Sequence, residues 1–155
     1  MQQVIELVNR PLKLHPVKKT AEAEGLFGVI DLLDLHNLNP EEIVLGKVSA
    51  ACGRAAMEYI AEAAHLALEG KVKAIATAPI NKEATVQAGY GEMGHLEFPA
   101  RVTHTVEYAT MLVSGRLRVV HLTTHHSLRQ NCSLVTKERI FGRLKLTQDS
   151  FRRGG

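Results

Sequence analysis

Three short stretches hold the polar residues best suited to chemistry: Thr77-Ala78-Pro79-Ile80-Asn81-Lys82, Gly94-His95-Leu96-Glu97-Phe98 and Thr123-Thr124-His125-His126-Ser127-Leu128. In the last, a neutral imidazole can ligate a divalent metal while the threonine hydroxyls orient it or hold substrate oxygens. Adjacent residues of an extended segment face opposite ways, so His125 and His126 do not bind one ion together. The plainer reading is a surface histidine pair in a loop. His121, four residues before His125, shares its strand face and is a second candidate for polar support. His95 follows Gly94, which lets the backbone approach a ligand; the ring can bind an anionic or hydroxylated group or carry a proton near neutral pH. It reads equally as a loop histidine entering a helix, with Glu97 supporting the helix N-terminus. At Pro79-Ile80-Asn81-Lys82 a strand–proline–helix junction frees backbone N–H groups beside a cation, an arrangement suited to an anion. Its plainer reading is a helix cap with a solvated lysine. His15, His36, His65 and His104 have no evident partner in the sequence.

Apolar elements must carry these groups. A long helix is expected over residues 49–69, with Ala51, Ala55, Tyr59, Ala63 and Leu66 at helical spacing and Gly70 at its C-terminal end. Within it, Gly53 admits a neighbouring backbone. Residues 72–78 read as a buried strand stopped by Pro79; Asn81 caps a short helix through Ala88, closed by Gly89. A further helix falls between Phe98 and Val106. Residues 108–113 and 117–122 read as strands joined at Ser114-Gly115. A last helix starts at Thr136, with Val135 and Ile140 as a hydrophobic staple. Upstream, a short helix or strand before Pro11 leads into a loop through about residue 20, and residues 28–35 look extended. This succession predicts an α/β fold, a layered sheet with flanking helices and some antiparallel pairing, in one domain over residues 1–155.

Composition narrows the class. The 45% hydrophobic and 23% charged fractions are those of an ordinary globular chain. No apolar run approaches the ~20 residues of a membrane helix, and the start lacks the basic-then-apolar pattern of a secretory signal. Cys52 and Cys132 have no metal-ligand spacing and read as free thiols, so a cytoplasmic protein is expected. Lys137, Arg139, Arg143, Lys145, Arg152 and Arg153 crowd the final helix, but no aromatic interleaving accompanies them. They read as a solvated face rather than a nucleic-acid stripe.

In order and spacing, the three motifs resemble the middle of the 4-hydroxythreonine-4-phosphate dehydrogenase (PdxA) family. The similarity extends over about residues 46–140, through Gly46-Lys47-Val48-Ser49, Leu117-Arg118-Val119-Val120-His121 and Val135-Thr136-Lys137-Glu138-Arg139. The run from Val119 to His125, with Ser127-Leu128-Arg129, is most similar to paralogues acting on phosphorylated four-carbon sugar acids.

The resemblance implies a fold like the smaller lobe of isocitrate and isopropylmalate dehydrogenases. It implies oxidation of a secondary alcohol with hydride passing to NAD, a product that can lose CO2, and a divalent metal (zinc, magnesium or cobalt) polarising the alcohol oxygen. By position, His125 is one of three metal histidines and His95 a substrate contact. Leu96 stands where the family has a substrate-holding threonine, so one polar contact is lost. No catalytic residue is assigned, and the cofactor-binding residues are unknown. The family's glycine-rich strand-loop has no counterpart before Pro11, and its other two metal histidines and most NAD contacts belong to a C-terminal half that follows about residue 150. The expectation is an incomplete chain, inactive alone, that takes a small phosphorylated substrate by family and pairs as a homodimer. The alternative is a non-catalytic remnant or association module of the same family.

Overall fold

The computed structural model describes residues 1–91, 94–124 and 126–154. The chain divides into two compact units, Met1–Thr103 and His104–Gly155.

The first unit is organised on one long helix. After α1 (Gln2–Leu7), β1 (Lys13–Val17) and β2 (Val29–Leu33) form a two-stranded parallel sheet in the register Lys13↔Val29 to Val17↔Leu33. The loop expected beyond Pro11 is therefore corrected to a strand. Pro16 reads as a breaker, yet proline is compatible with an edge strand, and its ladder partner lies far along the chain. Helix α2 (Ala50–Leu68) begins at Ser49, whose hydroxyl accepts the Cys52 N–H, and the chain leaves through Gly70 at φ 70°. Its buried stripe is Gly53, Ala55, Met57, Ile60 and Ala64. This is rotated from the expected one, since Tyr59 is 45% exposed.

Two short helices pack on that stripe: α3 (Lys82–Gln87) and α4 (Glu97–Val102). Met57, Ile60 and Phe98 form the core, with Ala61, Ile80, Tyr90 and Val102 around it; Tyr90 and Phe98 meet edge-to-face at 5.6 Å. Gly53 sets the α2–α3 spacing. A Cβ there would fall inside the envelope of the Ala84 carbonyl and 2.8 Å from the Thr85 nitrogen.

The strand expected over residues 72–78 is not formed. An apolar run becomes a strand only where a neighbour offers ladder donors and acceptors, and among the described residues none lies beside it. Residues 75–80 instead line a groove of about 260 Å³ along Ala56, Tyr59, Ile60 and Ala63 of α2.

In the second unit β3 (Met111–Ser114) and β4 (Leu117–Val120) form the expected antiparallel hairpin, Met111↔Val120 to Ser114↔Leu117. Gly115 supplies a positive φ of 54° in the two-residue loop. Helix α6 (Lys137–Gly154) starts at Thr136, whose hydroxyl accepts the Arg139 N–H at 3.3 Å. Its Leu146, Thr147 and Ser150 border a cavity with Met111 and Val120, and Arg143 Nη1 donates to the Tyr108 carbonyl at 2.5 Å. A short helix the sequence reading lacked, α5 (Leu128–Leu134), precedes it. The architecture is mixed α/β: small sheets with flanking helices.

Candidate functional site

Two of the three motifs converge in the first unit. Asn81 ends the irregular run 72–80 by capping α3, its Oδ1 accepting the Ala84 N–H at 2.9 Å. Thr85, 1% exposed, donates its hydroxyl to the Lys82 carbonyl at 2.9 Å, locking that first turn. Asn81 is thus occupied as a cap, and Lys82 is exposed. The plainer reading of this motif describes it.

Phe98 pins α4 to α2, and Ile80 touches the same cluster, so the segments carrying His95 and Ala78 are fixed on one support. His95 Nε2 lies 2.9 Å from the Ala78 carbonyl oxygen, 17 residues away. Glu97 has the structural role expected of it, since its Oε2 accepts the Gly94 N–H at 3.1 Å beside the helix start. Leu96 occupies the N-cap of α4, 41% exposed and without a side-chain cap. A hydroxyl side chain there could accept a free helix N–H; an isobutyl group cannot.

The third motif belongs to the second unit. His125 lies outside the described residues. The shared strand face expected for His121 and His125 therefore also lies outside the described residues; His121 itself follows the end of β4 at Val120, its N–H donating to the Thr110 carbonyl at 3.2 Å. His126 is exposed and its carbonyl accepts from Asn131 Nδ2 at 3.3 Å. Ser127 then opens α5 through a capping box, its N–H donating to Gln130 Oε1 at 3.0 Å while its hydroxyl accepts the Gln130 N–H at 3.4 Å. The Ser-x-x-Gln spacing was the signal available for this helix.

Among the described residues no group of three His, Cys, Asp or Glu side chains is placed to hold a metal ion. The described residues therefore do not by themselves build the metal centre that the resemblance implies. No helix among them is long and apolar enough to cross a membrane.

Two of the histidines without an evident partner in the sequence have one: His36 Nδ1 lies 3.3 Å from Asp34 Oδ2 at an exposed position, and His15 is paired across the sheet. His15 of β1 and Asp31 of β2 are ladder partners, and His15 Nδ1 meets Asp31 Oδ1 at 2.7 Å. Asp31 Oδ2 accepts the Gly25 N–H at 2.9 Å. That backbone donor and then the imidazole hold the Asp31 carboxyl below its usual range. The Asp31 hydrogen bond, helped by the charges of Glu24, Asp31 and Glu22, raises His15 above its ordinary value. No local signal marks the pair, because only the parallel register brings the residues together.

A relative from Clostridium botulinum named "Putative D-threonate 4-phosphate dehydrogenase" is 41% identical over 140 residues, 90% of this chain and 42% of the relative. The crystal structure of 4-hydroxythreonine-4-phosphate dehydrogenase from Klebsiella pneumoniae superposes with a TM-score of 0.92 at 37% identity, covering 99% of this chain and 47% of that one. A 4-hydroxythreonine-4-phosphate dehydrogenase from Burkholderia phymatum gives 0.84 at 34%, covering 93% and 43%. The chain thus spans under half the length of these relatives. The family model "Pyridoxal phosphate biosynthetic protein PdxA" matches residues 1–155, a longer stretch than the motifs alone mark out, and the chain belongs to the PdxA family.

Proposed function

We propose that this chain forms the substrate-facing portion of a metal- and NAD-dependent dehydrogenase that oxidises a phosphorylated four-carbon hydroxy acid. D-threonate 4-phosphate or 4-phosphohydroxy-L-threonine is the substrate class. The observation that carries the reading is the convergence of the Thr77–Lys82 and Gly94–Phe98 motifs through His95 and Ala78, in a chain of this family. His95 supplies a ring nitrogen to the substrate. Leu96 contributes shape without a hydrogen bond, so the substrate is held by one polar contact fewer than a threonine would allow. In the family a divalent metal polarises the alcohol oxygen and NAD accepts the hydride. His125 is the one residue of this chain that would serve as a ligand to that metal. Taken alone, the chain does not turn over substrate, because positioning the nicotinamide falls to residues it does not supply. It pairs with a second copy and corresponds to the smaller lobe of an isocitrate or isopropylmalate dehydrogenase-like fold.

The test is a chimera in which this chain replaces the matching portion of the Clostridium botulinum relative. The expected result is NADH formation from D-threonate 4-phosphate that is lost in His95→Ala. A chimera that melts like the relative and yields no NADH above background overturns the reading.

A further inference from the structure

The contact between His95 and Ala78 constrains the imidazole beyond its position. A carbonyl oxygen has no hydrogen to give, so the ring nitrogen 2.9 Å from it must carry one. The acceptor is well suited to the task. It precedes Pro79, whose nitrogen has no hydrogen, and it takes no backbone partner among the described residues.

We propose that the Ala78 carbonyl is a positioning group that holds neutral His95 as its Nε2–H tautomer and leaves Nδ1 as the lone pair offered to a ligand. This rests on the reading of His95 as a substrate contact and says which atom makes that contact. An Nδ1 lone pair receives a hydrogen bond from a hydroxyl or an ammonium group. It cannot donate to a phosphate or carboxylate oxygen unless the ring first takes up a proton. His95 is thereby matched to a hydroxyl-bearing atom of the substrate, and the tautomer is set by the main chain before any ligand arrives.

The experiment is long-range proton–nitrogen correlation on the uniformly 15N-labelled chain without substrate, since averaged ring-nitrogen shifts report the tautomer ratio. His65, exposed on α2 and with no ring hydrogen bond among the described residues, is the internal reference. One net hydrogen bond should raise the Nε2–H to Nδ1–H ratio of His95 over that of His65 by about 3- to 10-fold. An equal ratio, or an excess of Nδ1–H, overturns the proposal. His95→Gln assigns the signals by deletion. If that variant does not fold, through-bond correlation from the ring to the His95 Cβ assigns them in the parent chain. An equal ratio leaves the dehydrogenase reading standing, whereas an inactive chimera leaves the tautomer standing.

Discussion

Replacing Gly53 by alanine should separate α3 from α2 and loosen the support of the candidate site. The added Cβ would sit 2.8 Å from the Thr85 nitrogen and closer still to the Ala84 carbonyl, all of it backbone that cannot rotate away. Restoring contacts of about 3.5 Å requires a shift of roughly an ångström between the two helices. Overpacking of this kind costs about 1–3 kcal/mol, and backbone neighbours place it at the upper end. Alanine is the better helix former by about 1 kcal/mol, which offsets part of that cost. The net loss is about 2 kcal/mol, or a fall in Tm of about 8 °C for a unit near one hundred residues. The control is Gly142→Ala in α6, where a Cβ meets nothing within 4 Å, so only the helix gain of about 0.5–1 kcal/mol remains. Thermal and urea unfolding of both variants measures the difference. A Gly53→Ala protein as stable as the parent would show that α3 does not rest on α2 as described.

The remaining expectations concern the ionisable pair, the cap, the metal and association. His15 is raised in the folded chain, so its stabilisation is complete below its unfolded pKa of 6.5 and is lost as pH rises through the higher folded value. Asp31 is lowered, so its share is present above its unfolded 3.8 and is lost only as pH falls through the lower folded value. Urea unfolding at about pH 5.5 and about pH 8.5 should show a drop in the parent that His15→Gln lacks, and parallel profiles would refute the assignment. Asn81→Ala should cost about 1 kcal/mol through the lost α3 cap, read as a lower urea midpoint at unchanged slope. Calorimetric titration with zinc should show no tight stoichiometric binding, since catalytic zinc usually takes three protein ligands and only His125 is assigned here. Sedimentation at micromolar concentration should show a two-fold dimer, driven by apolar surface such as Leu112, Val113 and Leu117, exposed on the hairpin; a single 17.0 kDa species excludes it.

What was legible in the sequence was local. Helices α2, α3 and α6 announce themselves through their caps at Ser49, Asn81 and Thr136, and the β3–β4 hairpin through Ser114-Gly115. Their defining contacts lie within a few residues. What was misread depends on distant partners. β1 exists because β2 lies beside it, and residues 72–78 have the composition of a strand without, among the described residues, a neighbour to make them one. The α2 stripe was misjudged because alanines ring the helix, so spacing alone did not choose between faces. At the site, residue type pointed to His95, but its tie to Ala78 spans 17 residues and appears only once Phe98 and Ile80 share a core.

The irregular run before α3 has a consequence for dynamics. Among the described residues, no amide from 73 to 80 donates to a backbone carbonyl, while the neighbouring helix α2 buries Met57 completely. Solvent deuterium should therefore enter residues 73–80 early and the centre of α2 last, a steep gradient across a few ångströms. The His95-bearing motif touches the fast-exchanging side. A ligand that engages it would be seen first as slowed exchange at the amides around Ala78, before any change in the melting of the chain as a whole.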